Sequence, residues 1–230
     1  EEDDEIYIFG FSRGAFAARR LAGVINTAGI LSRRYVHKAW DAFKLHYDAP
    51  GDEASQEARL EHAMKALEFR KEHGKGGRNP DGTRFAIDAP PAITYLGVFD
   101  TVMQHGMGQV LDAIFPKIGQ RSRFKNLRMC SNVFSARHAM AIDESRRGFP
   151  PTPWEGLEES NEAAHRRPGA DPHYPYFQQR WFVGAHGDVG GGDGSPLAAA
   201  TLKWIADGAA KQGLRFYAKH GDDISPMEEA

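Results

Sequence analysis

Apolar residues along this chain fall into short continuous runs that are separated by longer polar stretches. The runs at 6–10, 93–99 and 181–184 are rich in β-branched and aromatic residues, which is typical of strands buried in a parallel sheet. After the first run the apolar spacing becomes helical and alanine-rich, which predicts a helix over 13–30. Strands that alternate with helices in this way indicate an α/β fold.

The other segments are assigned by the same criteria. Further helices are predicted at 36–48 and at 53–73. A helix is also predicted at 133–144, because Phe134, His138 and Ile142 have helical spacing. The last helix is predicted to begin at Pro196, with Ser195 as its N-cap and Gly213 as its stop signal. Residues 74–91 and 150–176 predict loops. The apolar positions within 102–118 predict either packed core or a lid over a lipid site.

Composition limits the function classes more than it selects one. The chain has 230 residues and a net charge of −2, so it is long enough for one domain with a substantial core and has no basic footprint for nucleic acid. Its one cysteine, Cys130, excludes an internal disulfide. No apolar run approaches the roughly 20 residues of a membrane span, and no signal peptide is visible, which leaves the location open.

The first strand ends in Gly10-x-Ser12-x-Gly14, which has the form of a nucleophile elbow. In such a turn a strand passes directly into a helix and holds a serine at its apex. We expect both motif glycines to be required because the turn leaves no space for side chains on either flank. The pattern alone is common, so its weight depends on the strand before it and the helix after it.

Three predicted strands each end at a residue with reactive chemistry, namely Ser12, Asp100 and His186. Because the carboxyl ends of parallel strands share one edge of the sheet, these side chains are expected to meet. An imidazole activates a serine hydroxyl, and a carboxylate fixes the imidazole tautomer. We assign Ser12 as nucleophile, His186 as general base and then acid, and Asp100 as the orienting acid.

Several assignments around this trio stay open. The backbone N–H of Arg13 is the expected oxyanion donor, and a second donor is expected from a loop after an earlier strand. Asp188 is the alternative acid because it lies close to His186 in sequence, and His105 and His138 are alternative bases. No complete metal-ligand set is evident, so no metal and no cofactor are expected.

Four segments together resemble a known family. DEIYIFGFSRGAFAARRLAG, YLGVFDTV, ARHAMAIDESRRGF and WFVGAHGDVGGG are similar to the type VI secretion phospholipase effector (Tle1-like) catalytic domain, from about residue 4 to 205. The resemblance implies an α/β-hydrolase-like fold, a mostly parallel sheet with helices on both faces, and a triad at Ser12, Asp100 and His186. It also implies activity on membrane phospholipids and leaves any immunity or secretion partner undetermined.

The family's opening strand and its Asp-Gly-Thr-like loop are absent from this sequence. We therefore expect strands before the nucleophile strand to be missing, and the chain to be the later part of a longer protein. Residues 1–230 are interpreted as one catalytic domain, its C-terminal part, with insertions near 36–91 and 150–178. The sequence thus predicts a serine hydrolase of lipid esters, with peripheral membrane contact. The alternatives are a carboxylesterase on small soluble esters and a non-catalytic binding module or incomplete fragment.

Overall fold

A four-stranded, all-parallel sheet forms the centre of the structure, a computed structural model that describes residues 4–51, 53–75, 77–78, 84–85, 89–102, 127–146, 150–192 and 196–217. In chain order its elements are β1 (Tyr7–Phe11), α1 (Arg13–Ala28), a 3₁₀ helix (Arg33–Lys38), α2 (Ala39–Tyr47), α3 (Gln56–His73), the two-stranded antiparallel ribbon β2 (Gly77–Arg78) and β3 (Arg84–Phe85), β4 (Ile93–Phe99), β5 (Val133–Ala141), α4 (Leu157–His165), β6 (Phe177–Phe182), α5 (His186–Gly190) and α6 (Pro196–Ala210).

The strands of the main sheet follow the order β1-β4-β5-β6, which is their order along the chain. Register pairs Gly10 with Val98 and Gly97 with both Phe9 and Arg137. Parallel neighbours need crossover connections, and the connections described here carry α1 and α4. The predicted α/β class with a parallel sheet is therefore confirmed.

Helices cover both faces of the sheet, and each face has its own apolar cluster. On one face Leu96 and Val98 of β4 pack with the alanine side of α1 and with Ala164 of α4. On the other face Tyr95 packs with Ile205 of α6, and its hydroxyl donates to the Ile205 carbonyl at 2.8 Å. The inner strands are consequently buried on both sides, which is the usual state of a parallel sheet.

The prediction of a helix over 133–144 is wrong, because this segment is strand β5. Phe134, His138 and Ile142 do not share a buried face: Phe134 and Ile142 are 39% and 60% exposed, whereas His138 is fully buried. A strand covered on both faces has no period-2 alternation, and its many alanines resemble a helix in composition. Seven of the nine positions of β5 lie in one continuous buried run, as the burial pattern shows from Ser135 to Ala141.

Other boundaries differ by smaller amounts. The predicted loop at 150–176 contains α4, and the one at 74–91 contains β2 and β3. The third predicted strand is shifted, since β6 ends at Phe182 and His186 opens helix α5. Helix α6 begins at Pro196 and ends at Ala210, with Gly213 at φ +99° in the following turn. The predicted core or lid at 102–118 and the N-cap Ser195 lie outside the described residues, apart from the buried Val102.

No helix within the described parts of the chain is long and apolar enough to cross a membrane.

His138 lies at the centre of β5 without exposure to solvent. Its Nε2 accepts the backbone N–H of Thr101 at 3.1 Å, and its Nδ1 makes no hydrogen bond to any described residue. Burial, assisted by the charge of Arg19, lowers the pKa of His138 well below its usual value. The folded protein thus holds this imidazole neutral.

We predict that His138 makes the fold sensitive to acid. Below pH 6.5 the unfolded chain binds a proton that folded His138 does not accept, so the free energy of unfolding falls with decreasing pH, by at most about 1.4 kcal/mol per pH unit. Urea unfolding of the wild type and of His138→Gln between pH 8 and pH 5 measures this. The variant should show the shallower decline, and equal declines would contradict the prediction.

Candidate active site

The turn between β1 and α1 holds Ser12 in an unusual backbone conformation, with φ +59° and ψ −121°. A side chain at positive φ costs about 1–3 kcal/mol, so the neighbouring structure must enforce it. Two hydrogen bonds do so: the Ser12 N–H donates to the Phe99 carbonyl of β4 at 3.0 Å, and the Ser12 carbonyl accepts from Phe16 at 3.2 Å. Ser12 is therefore fixed where the sheet ends and α1 begins.

The two motif glycines differ in what they permit. A methyl group on Gly10 would lie 2.6 Å from the carbonyl carbon of Gly14 and 2.7 Å from the nitrogen of Ala15. The same group on Gly14 would meet no described atom within 4 Å. The close approach of strand and helix therefore requires glycine at position 10, whereas the described atoms outside the surrounding turn leave space for a methyl group at position 14.

Asp100 occupies the position after β4 that Ser12 occupies after β1. It also has a positive φ, +37°, and these two are the only non-glycine residues with positive φ among the described residues. Its N–H donates to the Ala139 carbonyl at 2.7 Å, and its Oδ1 accepts the N–H of Ala141 at 3.0 Å. Strand β5 thus fixes the backbone of Asp100 through Ala139 and orients its buried carboxylate through Ala141.

The imidazole of His186 lies between Ser12 and Asp100 and contacts both side chains. Its Nδ1 lies 2.7 Å from Asp100 Oδ2 and its Nε2 lies 2.8 Å from Ser12 Oγ. Because an ionised carboxylate only accepts hydrogen bonds, the Nδ1 proton points to Asp100, and Nε2 is left to accept the proton of the Ser12 hydroxyl. The ring is buried and packs against Phe11, with ring centroids 4.6 Å apart.

The remaining named candidates lie elsewhere in the site or away from it. Arg13 is the first residue of α1, where backbone N–H groups have no acceptor within the helix, and its role as oxyanion donor stays a prediction. Asp188 accepts the N–H of Ala185 at 2.8 Å and so caps α5. The hydrogen bond to the His186 ring is made by Asp100 instead. Of the two alternative bases, His138 is buried and its Nε2 accepts the Thr101 N–H. His105 lies outside the described residues. Within the described ranges, no group of three or more His, Cys, Asp or Glu side chains is placed to hold a metal.

Sequence reasoning missed the contribution of β5 and the residues after it. The Asp143 carboxylate accepts the N–H of Gly184 at 2.7 Å, and the Glu144 carboxylate accepts the N–H of His186 at 3.3 Å. Both carboxylates hold the loop that presents the imidazole. The signal for them is the pair of acidic residues directly after an apolar run, but the helical spacing of that run predicts a helix instead of a strand.

A sequence model of one family matches residues 1–208 of the chain, and it describes the catalytic domain of Tle1-like phospholipase effectors of the type VI secretion system. The chain belongs to this family. The resemblance inferred from the four segments is thereby confirmed, and with it the assignment to a family of phospholipase effectors.

Two individual proteins are also similar to this member of the Tle1-like family. The uncharacterized protein YEL023C of Saccharomyces cerevisiae is 35% identical over 153 residues, which is 65% of this chain and 18% of the yeast protein. The crystal structure of an uncharacterized protein from Pseudomonas aeruginosa matches with a TM-score of 0.44 at 18% identity, over 94% of this chain and 24% of that one. The chain thus spans less than a quarter of the length of either protein.

We predict that the two motif glycines respond differently to alanine. Gly10→Ala places a methyl group against the backbone of α1 and should destabilise the fold by about 1–3 kcal/mol. Gly14→Ala meets open space and replaces a poor helix former, so stability should stay equal or rise, by up to about 1 kcal/mol. Thermal unfolding of the two variants beside the wild type provides the measurement. Equal losses in both variants would refute the steric account.

Proposed function

We propose that the protein is a serine hydrolase of carboxylic esters in lipids, and that phospholipids are its substrates. The observation that carries the proposal is the continuous hydrogen-bonded series Ser12–His186–Asp100 at the carboxyl edge of the parallel sheet. The hydrogen-bond distances support activation of Ser12 by His186, and the positive φ of Ser12 is typical of the strained turn of a nucleophile elbow. Membership in the Tle1-like family supports the lipid class.

In the proposed reaction Ser12 Oγ attacks the ester carbonyl while its proton moves to Nε2 of His186. The oxyanion that forms is stabilised by the N–H of Arg13 at the start of α1. Collapse of the tetrahedral intermediate expels the alcohol, which takes the proton from His186 and leaves an acyl group on Ser12. Water, deprotonated by His186, then attacks the acyl carbon; the bond to Ser12 Oγ breaks, Ser12 takes the proton back from His186, and the fatty acid is released. Asp100 holds the imidazole in the reactive tautomer and stabilises its cation.

The surface beside the site supports a lipid substrate. Ile142 and Val183 follow β5 and β6 at the same edge as the three site residues, and they are 60% and 65% exposed. The Ile142 N–H donates to the Phe182 carbonyl at 3.0 Å, so the two apolar side chains lie on adjacent segments. These two side chains, which we call the apolar pair, offer a small apolar surface to a membrane at the sheet edge that carries the site residues.

We predict that Ser12→Ala removes ester hydrolysis. Loss of the nucleophile should lower kcat/KM by at least about 10⁴-fold, and Asp100→Asn should lower it by about as much because the imidazole tautomer is lost. The assay is hydrolysis of a p-nitrophenyl ester by the full-length protein, together with labelling by a fluorophosphonate. Ser131→Ala, at an exposed serine, is the matched control and should keep wild-type activity and labelling.

Retained hydrolysis in Ser12→Ala would refute the mechanism. A folded wild type that neither hydrolyses esters nor reacts with the fluorophosphonate would instead favour the non-catalytic binding module.

A second prediction separates the lipid enzyme from a carboxylesterase on soluble esters. Ile142→Ser with Val183→Ser should lower hydrolysis of phospholipid vesicles and leave hydrolysis of a monomeric short-chain ester unchanged, because these two apolar side chains contact only the aggregated substrate. Leu60→Ser, an exposed leucine on α3, is the control. Equal rates on vesicles for the double variant and the control would count against the membrane contact, and wild-type preference for the monomeric ester would favour the carboxylesterase.

A further inference from the structure

The loop between β6 and α5, which presents His186, is held by three carboxylates. Its successive N–H groups at Gly184, Ala185 and His186 each donate to a different acidic side chain. We call these side chains the loop carboxylates: Asp143 accepts at 2.7 Å, Asp188 at 2.8 Å and Glu144 at 3.3 Å. Because backbone amides at the start of a helix carry partial positive charge, carboxylates are favoured there. The whole segment before the imidazole is thus fixed by hydrogen bonds to its backbone.

Gly184 shows how closely this loop is packed. Its φ is +110°, and a methyl group on it would lie 2.6 Å from Cβ of Asp188. The N–H of Asp143 also donates to the Gly184 carbonyl at 3.2 Å, so the loop and the end of β5 exchange two hydrogen bonds. The loop is therefore an extension of the β5–β6 pairing.

Glu144 differs from the other two loop carboxylates because it contacts the backbone of His186 itself. Only 2% of its side-chain surface is exposed. Arg146 binds it through two parallel contacts, Nε to Oε1 at 2.9 Å and Nη2 to Oε2 at 2.6 Å, and the Arg146 N–H adds a third at 2.8 Å. These hydrogen bonds lower the pKa of Glu144 to about 2, so the carboxylate stays ionised at neutral pH.

We propose that Glu144, fixed by Arg146, is a positioning residue that holds the His186 imidazole between Ser12 and Asp100; this rests on the proposed function. The carboxylate accepts the backbone N–H of His186. It fixes the backbone from which the ring extends, and the ring must place two nitrogens at hydrogen-bond distance at once. Small displacements of a catalytic group reduce its contribution steeply.

The test uses Glu144→Ala and Glu144→Gln in the full-length protein. Glu144→Ala removes the acceptor for the His186 N–H and should lower kcat on a monomeric ester by about 10²-fold with KM unchanged. Glu144→Gln keeps one carbonyl oxygen that can accept the His186 N–H but loses part of the pairing with Arg146, so its kcat should lie between those of Glu144→Ala and the wild type. Glu68→Ala, an exposed glutamate on α3, is the control and should behave as the wild type.

A second readout does not depend on activity. Hydrogen exchange of the 184–186 amides should be faster in Glu144→Ala than in the wild type, while the unfolding midpoint stays within the range of the control. If Glu144→Ala does not fold, Arg146→Ala serves in its place, because it leaves the Glu144 carboxylate present but no longer fixed. Wild-type kcat or wild-type exchange in the folded variant would overturn the proposal. A wild type without esterase activity, combined with faster exchange in Glu144→Ala, would refute the proposed function and support the positioning of the loop.

Discussion

The pairing of the parallel strands continues one residue beyond β1 and β4, and the candidate site depends on this extension. The N–H of Ser12 reaches the Phe99 carbonyl, and the N–H of Asp100 reaches the Ala139 carbonyl. Each of these hydrogen bonds holds a residue at positive φ, where a side chain is disfavoured. Strain at both positions is therefore maintained by the sheet, which itself is stabilised by apolar clusters on its two faces.

Strand β5 and the residues directly after it supply none of the three reactive side chains, yet they position two of them. The end of β5 donates the Ala141 N–H to Asp100, and the residues after it accept N–H groups from the loop before His186. His138, in the middle of the strand, accepts the N–H of Thr101 directly after Asp100. A buried polar group is costly unless it is hydrogen-bonded, and these hydrogen bonds offset part of that cost for Asp100 and for the Thr101 N–H.

The elements nearest to Ser12 and Asp100 could be predicted from the sequence because each is a short apolar run that stops at a turn. Strand β4 was predicted with its observed bounds, and β1 within one residue. Strand β5 could not be, because burial on both faces removes the alternation that distinguishes a strand, and its alanines favour a helix in composition. Helix α4 was missed since its charged and polar residues, after Gly156 at φ +64°, resemble a loop. Tertiary context decided both segments.

The choice between Asp100 and Asp188 shows why the site itself was partly accessible to sequence reasoning. Proximity in sequence favours Asp188, which lies two residues from His186, but a carboxylate in the first turn of a helix bonds to the amides of that same turn. Proximity in space comes from the parallel sheet, which brings together the ends of strands that are far apart in the chain. Asp100, 86 residues from His186, consequently reaches the imidazole, and Asp188 serves the loop that carries it. The shared edge at which parallel strands end thus predicts the partner of His186 better than distance along the chain does.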